Sequence, residues 1–398
     1  MKISIFVEKK TMMESLSLEP VENDNIEEMN DLSGLDTSGI VVYARDWTIQ
    51  TIFSQIEEGN IELNPKFQRR NAWQDDRRSK LIESIIMGYP IPEIVLAEDP
   101  VKKRSFIVID GKQRLLSIAG FISNDKYDYW KKPVLQKLSV CENLNGLTYS
   151  ELPETAKREF DNSSLRCTVI TNFRDNQILY DIFYRLNSGS VALSTQELRQ
   201  ALNRGAFGDY LIDVTNNICS LHNVMGLDNP DTRLRDVEIL LRIISFYLYA
   251  RDYKGNLRFF LDDKMRYINE NWNSMKNEVE QIYSMINESI ALLCQVFEDN
   301  KNIGRKYKNG QFEKRFNKVL FEVEVFYFMH LLEHKELVRE KKVNLLQSFK
   351  SLCEEDTLFM SSLESSTKNI DNYKIRYSKI ENLVNDTLDI RLQINPFR

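Results

Sequence analysis

Apolar and polar positions alternate in two regimes along the chain. In the first regime, short apolar runs bounded by turn residues predict buried strands at Ile94–Ala97, at Phe106–Ile109 and at Leu165–Phe173. Trp47 to Ile61 predicts a short strand followed by a helix. Apolar residues three and four apart predict a helix over Asp75–Met87, with Leu81, Ile82, Ile85 and Ile86 on one face and Arg77, Arg78 and Lys80 elsewhere. Further helices are predicted over Arg114–Ile122 and from about Asp175 to Leu186, the latter ended by Asn187-Ser188-Gly189. Ser194 and Glu197 have capping-box spacing for one more helix, which Gly205 or Gly208 should end. Residues 125–163 read as irregular and aromatic.

From Asp209 onward the second regime holds, and strand signals vanish. Val237, Leu240, Leu241, Ile244 and Leu248 mark an amphipathic helix. Long helices are expected near residues 258–300, 311–335, 338–352 and 368–390, with no proline between Pro230 and Pro396. The expected organisation is a leader over 1–40, an α+β domain over 41–208 and an α-helical domain over 209–398.

Charge changes this picture in one respect. The formal net charge of −6 argues against a nucleic-acid partner at first sight. Residues 1–40, however, hold three lysines and nine acidic residues, so they account for the whole excess. The leader is expected to be flexible, and the neutral remainder can still present a basic cleft. The five cysteines are scattered without a CxxC pair, and the first residues do not read as a secretory signal. Free thiols in a reducing cytoplasm are expected, none with an activating partner. No apolar run reaches the ~20 residues of a membrane span.

The chemistry concentrates at Phe106-Ile107-Val108-Ile109-Asp110-Gly111-Lys112-Gln113-Arg114. A strand ends in Asp-Gly and a helix starts at once, with two cations in its first turn. Helix N-termini present unpaired N–H groups and a partial positive charge, so they attract phosphates. Gly111, Lys112 and Arg114 are candidate phosphate ligands. Gln113 could bond a phosphate, base or sugar, and Asp110 could hold Mg²⁺ or orient a water, which makes Asp110 and Gln113 the catalytic candidates. Asp110 as a simple helix cap is the structural alternative. Gln68, Arg69 and Arg70 would form a second phosphate wall, unless they are a solvated basic turn beside a packed Trp73. Arg185, Asn187 and Arg199 join them at a helix end and a helix start, unless they are structural, with Asn187 serving only as a helix C-cap. No G-x-x-x-x-G-K-[ST] is present, which excludes a P-loop enzyme.

Several motifs stand in a telling order. Asn64-Pro65-Lys66-Phe67-Gln68-Arg69-Arg70-Asn71-Ala72-Trp73, the segment Lys80 to Pro92, and Ile109 to Leu115 are followed by Ile182 to Gly189, Leu193 to Arg199 and Arg233 to Arg242. Together they resemble the N-terminal domain of GmrSD-type restriction endonucleases over roughly residues 45–250. The resemblance implies a ParB/sulfiredoxin-like fold for the first domain. It also implies a nucleoside-triphosphate pocket lined by the Asp-Gly-x-Gln-Arg signature, and a role in bacterial defence against phage DNA. Lys112 stands where many relatives have glutamine. Full-length relatives often end in an HNH nuclease domain. The only histidines here are His222, His330 and His334, in no His-Asn-His arrangement, so that half is expected to be absent.

Other signals are weaker. His330 and His334 should share a helix face but lack a third metal ligand. Pro230-Asp231 with Asp252-Tyr253-Lys254 imitates a nuclease metal site, in a helical context that suits it poorly. Arg305, Lys306, Lys308, Lys314, Arg315 and Lys318 could touch DNA, although a charged loop and helix face is the favoured reading. The expected function is a triphosphate-binding, Mg²⁺-dependent and hydrolysing sensor of a DNA-restriction or anti-phage system. The alternatives are a non-catalytic ParB-like DNA-binding module and a scaffold recruiting a separate nuclease subunit. No membrane partner is expected, and the sequence leaves the nucleotide base and the oligomeric state open.

Overall fold

The computed structural model describes residues 38–63, 73–100, 102–174, 176–186, 194–364 and 369–397. Most of the acidic leader lies outside them. Four strands, β1 (Val41–Thr48), β2 (Ile94–Glu98), β3 (Phe106–Asp110) and β4 (Ser164–Thr171), form one sheet in the order β1-β4-β2-β3. β4 is antiparallel to β1 and parallel to β2, while β2 is antiparallel to β3.

Strand side chains alternate between two faces, and here both faces are covered. Ile94, Leu96, Phe106, Val108 and Val169 join one core with helices α1 (Ile49–Glu57), α2 (Asp75–Ile86), α3 (Lys112–Ile122) and α4 (Glu154–Asn162). Val95, Ala97, Ile107, Ile109 and Ile170 join a second core with α5 (Gln177–Leu186) and α6 (Thr195–Leu202). That is why β2 and β3 read as continuous apolar runs rather than as alternating ones. β1 is an edge strand with mostly exposed side chains.

The third core runs from Phe207 to Phe397. It is built by α7 (Ala206–Thr215), α8 (Arg235–Tyr249), α9 (Leu257–Glu270), α10 (Trp272–Phe297), α11 (Lys318–His330), α12 (Lys342–Glu355), α13 (Thr357–Glu364) and α14 (Ile370–Leu388), with shorter helices between. The molecule is thus mixed α/β first and mostly helical afterwards. Among the described residues, no helix is long and apolar enough to cross a membrane.

Several expectations need correction. The helix expected over 258–300 is two helices, broken at Asn271, whose backbone turns out of the helical region. Strands do not vanish after Asp209: Tyr307–Lys308 pairs with Gln311–Phe312 around Asn309 and Gly310, both at positive φ. The irregular stretch 125–163 ends in a full helix, α4. The remainder of that stretch is pinned to α2, where Glu83 Oε1 accepts the N–H groups of Val140 and Cys141, both at 2.8 Å. These local bonds replace the periodicity that a regular element would show.

The helical region also contains a buried carboxyl group. Glu324 on α11 is 2% exposed, and one of its oxygens accepts the Gly304 N–H at 2.8 Å while the other is buried without a partner. Burial pushes its pKa up to about 8, against the smaller pull of the Gly304 N–H and the Arg305 charge. In the unfolded chain the group ionises near its usual 4.5. The contribution of neutral Glu324 is therefore fully present below that value and is lost as pH rises through the folded value. Glu324→Gln keeps an acceptor for Gly304. Its melting temperature is expected to fall less than the parent's between about pH 5 and about pH 8. Parallel declines for parent and variant would refute this assignment.

Candidate nucleotide site

β3 ends at Asp110, opposite Val95, where the β2–β3 register shifts by a bulge. Gly111 then takes φ 93°, a left-handed conformation that glycine adopts without strain. A Cβ at this position would lie 2.5 Å from Ile94 Cδ1, so the buried Ile94 side chain would also have to shift. Gly111 is also the N-cap of α3 and offers no side-chain acceptor. The first N–H groups of α3 thus lack a capping side chain, as an anion site requires. Asp110 does not cap the helix.

The two cations of the motif are held inside the protein. Arg114 is 8% exposed, and its Nη2 donates to Asp110 Oδ2 and to the Glu93 carbonyl, both at 2.9 Å. This clamp ties the end of β3 to the residue before β2, and Glu93 Oε2 in turn accepts from Thr168 of β4 at 2.8 Å. Arg114 therefore positions the turn, where the sequence suggested a side chain extended toward phosphate. Lys112 Nζ lies 3.9 Å from Glu197 Oε1, which joins the starts of α3 and α6. Burial lowers the Lys112 pKa, and Glu197 counteracts it in part. Two polar atoms of the motif, Gln113 Oε1 and Arg114 Nε, are buried without a hydrogen-bond partner.

The other candidates scatter. The Ser194–Glu197 capping box forms as its spacing predicts, with Ser194 N–H donating to Glu197 at 2.7 Å. Arg199 is a correction. It is 2% exposed and donates to Asp262 Oδ1 at 2.6 Å and to Gln196 Oε1 at 2.7 Å, so it is a structural ion-pair residue. Tyr180 donates to the same Asp262 oxygen at 3.0 Å, and Arg258 stacks on the Tyr180 ring. Arg185 is exposed on α5 and paired with Asp181 at 2.9 Å. Gln68, Arg69, Arg70 and Asn187 lie outside the described residues.

The weaker motifs resolve into local structure. α11 ends at His330, whose Nδ1 faces the Phe326 carbonyl, so His334 does not share its helix. Asp231 pairs with Arg235 and Asp252 with Lys264. Arg305 is buried on two backbone carbonyls, Lys306 pairs with Glu313 and Glu364, and Lys318 lies 3.5 Å from Glu238. Among the described residues, no group of His, Cys, Asp and Glu could hold a metal ion by itself. Glu93, Glu197 and Asp262 are the partners that sequence reasoning missed. Only Glu197 had a signal, its place in the capping box.

Residues 49–203 match the family model described as GmrSD restriction endonuclease, N-terminal domain. This stretch of the chain is similar to a GmrSD N-terminal domain. No curated protein and no solved structure matches the chain. The GmrSD domain starts where α1 starts and ends at the residue that closes α6. It contains the β3–α3 turn, the Arg114 clamp and the Lys112–Glu197 contact, whereas Asp262 lies beyond it.

Proposed function

We propose that the GmrSD domain binds a nucleoside triphosphate at the β3–α3 turn and serves as the nucleotide-responsive component of a DNA-restriction system. The observation that carries the reading is the uncapped start of α3 behind Gly111, together with the buried and unpartnered side-chain oxygen of Gln113 in the first turn of that helix. An unpaired buried acceptor costs roughly 1–3 kcal/mol, a cost that a ligand donor would remove. A base or sugar can supply that donor, while the α3 N–H groups receive phosphate oxygens.

The residues also suit Mg²⁺ brought with the nucleotide. Mg²⁺ takes one or two carboxylates together with phosphate oxygens and water, so a single partly open carboxylate, Asp110, is enough once triphosphate is present. The bound ion would neutralise phosphate charge. Arg114 fixes the Asp110 carboxylate, and Lys112 supplies positive charge near the helix start. Hydrolysis, where it occurs, is phosphoryl transfer to water by positioning and charge neutralisation. Cleavage of DNA is left to a separate nuclease subunit.

Labelled ATP, GTP, CTP and UTP, each with and without Mg²⁺, test the reading on the full chain. One of them should bind and raise the melting temperature, because a ligand specific to the folded state must do so. Gln113→Ala removes no internal hydrogen bond of its Oε1 and should leave the fold intact. It is expected to weaken that nucleotide by about 1 kcal/mol, or about fivefold. Equal affinity in the folded variant would sink the assignment. Phosphate release measured beside binding separates turnover from a switch, and salt-dependent DNA binding without any nucleotide effect would favour the DNA-binding module instead.

A further inference from the structure

A second constellation lies in the helical region, outside the GmrSD domain. Cys219 precedes the short helix Ser220–Met225 and is partly exposed, next to Ile218, which is open to solvent. Its Sγ lies 3.2 Å from His222 Nδ1. Nε2 of the same ring lies 2.7 Å from Asp236 Oδ2 at the start of α8, and both His222 and Asp236 are 0% exposed. The Cys219 backbone N–H donates to Nδ1 at 3.1 Å. In the neutral ring that bond leaves Nδ1 as the acceptor and Nε2–H as the donor to Asp236. Asp236 is itself oriented by the N–H groups of Asp231 at 3.2 Å and Val237 at 2.8 Å.

This is a nucleophile, a base and an orienting carboxylate within hydrogen-bond reach of one another. We infer that Cys219, His222 and Asp236 form a nucleophilic thiol site that reacts with small electrophiles, hydroperoxides in particular. His222 Nδ1 takes the thiol proton, and Asp236 stabilises the imidazolium. The thiolate sulfur attacks the terminal peroxide oxygen and the O–O bond breaks. The leaving oxyanion takes the proton back from His222 and departs as water or an alcohol. Sulfur is oxidised by two electrons to sulfenic acid, and the peroxide is reduced by two.

The electrostatics agree. Burial raises the Cys219 pKa, but the hydrogen bond and charge of His222 outweigh it, and the thiol ends below its ordinary value. Burial opposes protonation of His222, and its bonds to Asp236 and Cys219 overcome this to bring it to about 9. From α10, Tyr283 faces the thiol, its own pKa raised by burial and by Cys219, so it is neutral and adds no charge. Three other thiols contrast: burial pushes Cys167 and Cys353 up to about 12 and also raises Cys141. The expectation that no cysteine has an activating partner is thereby corrected. His222 is three residues from Cys219, but Asp236 is fourteen from His222, and only the fold supplies it. A helix cap requires the Nδ1 acceptor alone, and it predicts ordinary thiol reactivity.

The test is site-resolved mass spectrometry of the full chain after timed iodoacetamide labelling at several pH values. Cys219 is expected to label about tenfold faster than Cys141 near neutral pH, with its rate half-maximal below the ordinary thiol value. Hydrogen peroxide followed by dimedone should place the sulfenic adduct on Cys219. His222→Gln should cancel the labelling advantage and return the midpoint to the ordinary value. The wild-type comparison stands even where the buried His222 variant fails to fold. A Cys219 rate no faster than that of Cys141, or no dimedone adduct at Cys219 after peroxide, overturns the inference.

Discussion

Asp262→Ala is expected to cost on the order of 3–5 kcal/mol of folding stability, because it strands a buried guanidinium. Arg199 is 2% exposed on its side chain, Asp262 is 12% exposed, and Nε to Oδ1 is 2.6 Å. Burial works against the Arg199 charge, yet Asp262 together with Tyr180 and Glu238 holds its pKa above the usual arginine value. Removing Asp262 also takes the acceptor from the Tyr180 hydroxyl. Tyr180 and Arg199 belong to the GmrSD domain, and Asp262 to α9 of the helical region. The loss should therefore uncouple the two parts, splitting one urea transition into two. Replacing the pair together, Arg199→Met with Asp262→Leu, should recover much of the stability, since apolar side chains can fill a former ion-pair site. A single-variant loss below about 1 kcal/mol would show that solvent already screens the pair.

Glu322→Ala should be equally damaging, at about 3–5 kcal/mol, within the helical core alone. Arg242 and Glu322 are each 2% exposed and lie 2.8 Å apart, and Arg242 also donates to the Tyr373 hydroxyl at 3.3 Å. The pair joins α8 to α11, and Tyr373 adds α14. Denaturant unfolding of the full chain measures the cost. Glu322→Gln, which retains an acceptor, should lose less than the alanine variant. If both variants lose the same amount, shape rather than charge pairing dominates at this position.

The two buried pairs have a common property: each joins residues far apart in sequence. Arg242 and Arg258 stand in helices whose apolar residues have clear periodicity, and their own burial breaks that pattern. Sequence reasoning assigns such arginines to solvent, because an isolated charge is costly to bury. Arg199 was a candidate phosphate ligand for a different reason. A guanidinium beside a capping box suggests a ligand when its carboxylate partner sits sixty-three residues away.

The strand–Gly111–helix turn, the Ser194 capping box and α2 were legible in the sequence, because apolar period, backbone freedom and capping are local properties. The sequence also carried the ordered motifs that resemble the family whose model matches residues 49–203. Its loss of strand patterning after Asp209 anticipated a mostly helical second part, whose core runs from Phe207 to Phe397. Tertiary structure alone decided the strand order, with β4 inserted between β1 and β2, because pairing across more than a hundred residues leaves no local trace. It alone turned Arg114 onto Asp110 and the Glu93 carbonyl, and set Lys112 against Glu197. The chain specifies where charges occur, whereas burial and the nearest opposite charge decide what each one does.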